Sequence, residues 1–146
     1  MPFNVQRTDM QNNEALADYQ HLSIAFVNAL DHREYDRVAP LFTQKGVFDR
    51  MGQAFEGREA IDKWLHSRPE KLTMRHILTN FELTPIAEDE MRGITYFTVY
   101  RILEAGEGPF PIAGPDAVGE YRDVIRREGG AWLIARREIK MVFQKA

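Results

Sequence analysis

The sequence predicts an α+β fold: a cone-shaped, strongly curved antiparallel sheet with three N-terminal helices covering its concave side and enclosing a pocket. Three observations carry this. Apolar residues recur at helical spacing in the first part of the chain. From Leu72 onward, four long segments rich in Ile, Val, Thr, Tyr and Phe read as strands. Helices and strands are segregated along the chain rather than alternating, which defines the class. Long, strongly twisted strands curl a sheet. Helices laid across a curled sheet leave a concave, mostly apolar pocket of the kind that small molecules occupy.

Taken in order, residues 1–12 read as a loose arm and residues 13–146 as a single domain. Asn13 is placed to cap a helix running to Asp31, with Leu16, Tyr19, Leu22, Phe26, Ala29 and Leu30 on its apolar face. Asp31-His32-Arg33-Glu34 has the form of a capping box. It would open a second helix over 34–43, in which Pro40 introduces a kink or a stop. Gly46–Arg50 and Ala54–Glu56 read as short strands around a Met51-Gly52-Gln53 turn. Gly57–His66 reads as a third helix with Ile61, Trp64 and Leu65 on one face, stopped by Pro69. Leu72–Pro85, Met91–Leu103, Val118–Arg127 and Ala131–Gln144 are the long strands, and Gly129-Gly130 signals a tight hairpin between the last two. Glu104–Ala117, rich in Gly and Pro, is the one long loop.

Composition narrows the function. The 146 residues suit one domain. Hydrophobic residues at 44% and charged residues at 28% describe a globular chain rather than a disordered one. Cysteine is absent, which excludes disulfides, thiol catalysis and thiolate metal sites within this chain. A net charge of −3 argues against a nucleic-acid binder that works by neutralising phosphates. No apolar run approaches the roughly 18 residues of a membrane span, and the N-terminus lacks the pattern of a signal peptide. A cytoplasmic protein is expected. No two histidines have the spacing of a helical zinc site, and the glycines of the long loop form no phosphate motif. Neither a metal nor another cofactor is expected.

The order helix–helix–strand–helix–four strands resembles the nuclear-transport-factor-2-like superfamily, a cystatin-like α+β roll. Three stretches resemble its SnoaL-like branch: Ala29-Leu30-Asp31-His32-Arg33-Glu34-Tyr35-Asp36-Arg37-Val38, Thr73-Met74-Arg75-His76-Ile77-Leu78-Thr79-Asn80, and Gly119-Glu120-Tyr121-Arg122-Asp123 followed by Gly130-Ala131-Trp132. The nearest enzymes in pattern are scytalone dehydratase, bile-acid 7α-dehydratase and hexachlorocyclohexane dehydrochlorinase. The resemblance implies a cofactor-independent lyase or isomerase acting on a small cyclic substrate of polyketide, steroid or aromatic origin. It also implies that His76 is a general base or acid oriented by Asp31. Phe26 replaces a polar or aromatic position of those enzymes. Arg50 and Arg101 replace a water-binding tyrosine and a second pocket histidine, so an anionic or carbonyl-bearing substrate fits better than scytalone. A non-catalytic pocket protein, like the β-subunits of ring-hydroxylating dioxygenases, is the alternative of the same fold.

The residues themselves support two readings at each position. His76 sits in a Leu72, Met74, His76, Leu78 alternation, where an imidazole is either a hydrogen-bonded structural group or a base working near neutral pH. Asp31 either caps the second helix or orients His76. Arg101 and Arg137 share parity with Phe97, Val99, Ile139 and Met141, and Tyr121 shares a face with Asp123. These four polar residues form either a substrate-binding patch or a structural Arg–Asp network. A buried arginine without a carboxylate is costly, so at least one should pair with Asp31, Asp49 or Asp123. Phe26, Leu30, Met74, Phe97, Val99, Ile139 and Met141 would supply the apolar lining. An outward stripe of Ile94, Tyr96 and Tyr100 calls for a symmetric homo-oligomer, dimer or trimer.

Overall fold

The computed structural model describes residues 9–146. Helix α1 (Asp9–Asp31) is followed by two 3-10 turns, then strand β1 (Phe42–Arg50), strand β2 (Gln53–Glu56), helix α2 (Arg58–His66) and the four long strands. These are β3 (Thr73–Ala87), β4 (Glu90–Ile102), β5 (Ala117–Glu128) and β6 (Ala131–Gln144). The fold is α+β, with helices on one side of a six-stranded curved sheet. Of the arm expected over 1–12, residues 1–8 lie outside the described residues, and Asp9–Asn12 already belong to α1.

α1 buries Ala15, Tyr19, Leu22, Ser23, Phe26, Val27 and Leu30, a stripe at helical spacing that faces the sheet. Its end is built by Arg33, whose φ of 59° places it in the left-handed region. The amide of Glu34 then reaches back to Ala29 O at 2.9 Å and that of Arg33 to Leu30 O at 3.3 Å, the paired bonds of a Schellman stop. A second α-helix over 34–43 does not form. Tyr35–Arg37 and Ala39–Leu41 are single 3-10 turns, and Phe42 already begins β1. Pro40 lacks the amide that a continuing helix needs, and the Asp31 side chain that would have capped it is engaged elsewhere.

The strand order is β2-β1-β6-β5-β4-β3. Every pair is antiparallel except β1–β6, which is parallel. The sheet is therefore mixed at one seam. Gly129 and Gly130, at φ +58° and +82°, make the tight turn between β5 and β6. Register shifts in β3 after Thr79 and in the β5–β6 pair after Val118 and Val124 add local twist and bend the sheet around α1. Alternation sorts the inner face into rows: Leu78–Phe97–Gly119–Met141, His76–Val99–Ala117, Thr95–Tyr121–Ile139, and Gly93–Asp123–Arg137.

Two inward glycines make room for neighbouring rings. A Cβ on Gly93 would lie 2.6 Å from Tyr19 Cζ, and one on Gly119 would lie 2.7 Å from Phe97 Cζ and 2.5 Å from the Lys140 carbonyl oxygen. The Tyr19 ring is fully buried, so it has no free direction in which to yield. Gly93→Ala is expected to destabilise the protein by about 1–3 kcal/mol through overpacking, read as a lower denaturant midpoint at unchanged slope.

Candidate active site

The end of α1 and the start of β3 are tied together by Arg33. Its Nε donates to the Leu72 carbonyl at 3.1 Å, and its Nη1 donates to that of Glu70. This tether sets Asp31, the last residue of α1, beside His76. β3 is an edge strand, so alternate backbone N–H groups have no ladder partner. Asp31 Oδ2 accepts the His76 backbone N–H at 2.8 Å, while Asp31 Oδ1 meets His76 Nδ1 at 2.7 Å. One carboxylate thus holds both the strand and the ring. It does not cap the following turn, where no side-chain capping bond exists.

A carboxylate can only accept, so Nδ1 is the protonated nitrogen of this pair, and in the neutral imidazole Nε2 then carries the lone pair. The His76 side chain is 7% exposed and that of Asp31 is 4% exposed. His76 lines a cavity and Asp31 does not, and among the described residues no hydrogen bond engages Nε2. Phe97 packs against the imidazole with ring centres 6.3 Å apart. The arrangement can take up a proton at Nε2 while Asp31 steadies the imidazolium that forms.

The cavity has a volume of about 370 Å³. Of the residues expected to bind substrate, the structure gathers Leu30, Arg50, Met74, Phe97, Val99, Arg101, Tyr121, Ile139 and Met141 around it together with His76. Phe26, Asp123 and Arg137, also expected there, do not line it. Phe26 is fully buried between α1 and the sheet, edge-on to Tyr121 at 5.8 Å. Arg137 forms a two-pronged ion pair with Asp123, Nε to Oδ1 at 2.9 Å and Nη2 to Oδ2 at 2.8 Å. Ser23 Oγ accepts from Nη2 at 2.8 Å, and the Tyr19 hydroxyl donates to Asp123 Oδ2 at 2.5 Å. Parity did point both residues inward, but their row lies under α1, where side chains fill the space. The pairing of a buried arginine with Asp123 is the one that the cost of burying charge demands. Burial works against the Arg137 charge, but the Asp123 carboxylate outweighs it and holds the guanidinium pKa above its ordinary value.

Tyr121 joins the two regions. Its ring lies 4.4 Å from the Arg137 guanidinium carbon, and it also borders the cavity. Burial pushes its phenol pKa well above the ordinary value, so it is a neutral hydrogen-bond donor at physiological pH.

Several lining residues were not legible in the sequence. Helical spacing places Trp64 on one face with Ile61 and Leu65 and does not tell cavity wall from core, and Arg68 lies just past α2, in a loop where no periodicity assigns a face. Phe48, Asp116 and Gln144 also border the cavity, as does Leu72, which shares the His76 face by alternation. Arg68 Nη1 reaches the Tyr35 hydroxyl at 3.3 Å and Nη2 the Met74 sulfur at 2.7 Å. Among the described residues, Asp36, Asp62 and His66 form the one grouping with metal-ligating geometry. None of the three lines the cavity, and His66 there has both carboxylates within ion-pair reach, at 3.2 and 3.5 Å.

The sequence pattern of the SnoaL-like domain matches residues 12–138. The chain belongs to the SnoaL-like domain family. A comparison with curated proteins finds no match. Among solved structures, this SnoaL-like chain is similar to a scytalone-dehydratase-like protein from Novosphingobium aromaticivorans, at 19% identity and a TM-score of 0.78, covering 92% of this chain and 88% of that one. It is similar to a hexachlorocyclohexane dehydrochlorinase from Novosphingobium barchaimii at 16% identity and a TM-score of 0.77, covering 94% and 93%. A protein from Catenulispora acidiphila in complex with S-DNPA matches at 25% identity and a TM-score of 0.72, covering 88% and 94%. Among the described residues, no helix of this SnoaL-like chain is long and apolar enough to cross a membrane.

Proposed function

We propose that this SnoaL-like protein is a cofactor-independent lyase or isomerase that removes a carbon-bound proton from a small cyclic substrate, with His76 as general base and Asp31 orienting it. The observation that carries the reading is the Asp31–His76 pair, which leaves Nε2 without a hydrogen-bond partner among the described residues on a side chain that lines the cavity. Proton uptake by a positioned imidazole contributes roughly 10²–10⁴-fold in rate. The similar dehydratase and dehydrochlorinase folds suggest water or hydrogen halide as the species eliminated. Leu30, Val99, Ile139 and Met141 would hold the ring, and the Tyr121 hydroxyl would donate to an oxygen on which charge develops. The test is a panel of hydroxylated and halogenated ring compounds followed by mass spectrometry. Loss of water or hydrogen halide with the wild type, absent with His76→Ala, is the expected result. Turnover that survives His76→Ala would overturn the proposal.

We also infer self-association through the outer face of the sheet. The expected stripe of Ile94, Tyr96 and Tyr100 is half-buried at its ends, and Tyr96 is 46% exposed. A second row crosses the four long strands, Ile77–Thr98–Val118–Phe143, with Ile77 52% and Phe143 68% exposed at its two ends. A symmetric homo-oligomer would cover this surface. Light scattering on the purified chain is expected to give a dimer or trimer mass, and a monomer at micromolar concentration would count against it.

A further inference from the structure

We propose that the cavity selects an organic anion, an apolar body bearing one oxyanion group, and that Arg50, Arg68 and Arg101 hold that group. This rests on the reading of the cavity as a small-molecule site and names the class of molecule it takes.

All three guanidinium side chains border the cavity. Among the described residues, none of them has a carboxylate within 4.0 Å, although Arg122, Arg126, Arg127, Arg136 and Arg137 all do. Asp116 is a carboxylate on the cavity wall, yet it forms no ion pair with them. The partners that Arg68 does have are a phenol oxygen and a thioether, both neutral, the sulfur being a weak acceptor. A carboxylate or phosphate taking their place would gain shorter, charge-assisted bonds.

Aromatic rings position two of these cations, Arg50 and Arg68, without neutralising them. The Arg50 guanidinium lies 4.4 Å from the centre of the Trp64 ring, and that of Arg68 lies 5.8 Å from it and 5.3 Å from Tyr35. A planar guanidinium stacked in this way keeps its N–H edges available. The charges also act on one another. Burial lowers the pKa of both Arg50 and Arg68; Arg68 and Arg101 lower that of Arg50 further, whereas at Arg68 the Tyr35 hydroxyl and the more distant Asp31 carboxylate each act more strongly than the repulsion from Arg101. A neutral carbonyl would leave that repulsion in place, whereas an anion relieves it. The rest of the wall, including Leu30, Leu72, Val99 and Met141, suits an apolar body.

The experiment is titration calorimetry on the full chain at low salt, with benzoate, phenyl phosphate and benzamide as probes of one ring size. At least one of the two anions is expected to bind about tenfold or more tightly than benzamide, and to weaken as salt rises. Which anion binds more tightly identifies a carboxylate or a phosphate as the preferred group. Arg50→Gln, Arg68→Gln and Arg101→Gln should each weaken the favoured anion by roughly tenfold and leave benzamide unchanged. Arg101 is exposed, so that variant retains the fold even if the others do not. Benzamide binding as tightly as both anions, or anion affinity unchanged in Arg101→Gln and in whichever other variants fold, would overturn the assignment. The readout is binding, so a failure of the general-base reading, seen as turnover surviving His76→Ala, is a separate result.

Discussion

Replacing His76 by alanine is expected to lower kcat/KM by about 10²–10⁴-fold while the thermal unfolding curve stays cooperative. The loss should fall mainly on kcat, because the other residues of the cavity wall are untouched. Asp31→Asn separates orientation from chemistry. Both carboxylate oxygens of Asp31 accept, one from the His76 backbone N–H and one from Nδ1–H. An asparagine can offer only one acceptor there. If its oxygen keeps the backbone bond, its NH₂ faces Nδ1 and forces the other tautomer, which places the proton on Nε2. The base is then blocked by its own proton although the ring is present. A kcat loss in Asp31→Asn with KM little changed, in a variant that still folds, is the signature of this role. Full activity in Asp31→Asn would show that Asp31 only ties β3 to α1.

Asp123→Ala should cost about 3–5 kcal/mol of stability, the range for breaking a buried ion pair and leaving one charge behind. Arg137 would keep its charge at zero exposure with only Ser23 and two aromatic faces around it. Tyr19 would lose the acceptor for its buried hydroxyl as well. Replacing both charges, as in Asp123→Leu with Arg137→Met, should recover much of the loss, since neither charge is then stranded. Chemical denaturation measures each variant. The same cluster predicts behaviour in alkali. Burial first, and Asp123 second, raise the Tyr19 pKa above its ordinary 10.0, and burial raises that of Tyr121. The folded state therefore holds protons that the unfolded chain releases above pH 10. That contribution is complete below the ordinary value and is lost as pH rises from there toward the raised folded values. Stability should fall above about pH 10 with a slope that Tyr19→Phe reduces.

Much of the architecture is written in local patterns. The stripe of Tyr19, Leu22, Phe26 and Leu30 makes α1 at 3.6-residue spacing, and the alternation of Phe97 and Val99 orients β4. Gly129-Gly130 sets a turn that few other dipeptides tolerate. Parity alone turned Met74, His76, Phe97, Val99, Arg101, Tyr121, Ile139 and Met141 to one face of the sheet, and all of them border the cavity. These features depend on neighbours a few residues apart, and so a single chain of letters contains them.

Tertiary structure decided the rest. Asp31 had two possible partners: the backbone just ahead of it, or a strand 45 residues away. The left-handed Arg33 and its bond to the Leu72 carbonyl brought the distant strand to the carboxylate, and the second helix lost both its cap and its continuity. The parallel β1–β6 seam joins strands more than eighty residues apart in the chain and is not written in either strand's composition. Arg137 and Arg101 have the same inward parity, yet one is sealed in an ion pair and the other lines the opening. Side-chain alternation states which face of a sheet a residue occupies. Whether that face is filled or open depends on where a helix from elsewhere in the chain comes to rest, and that is a property of the packed molecule.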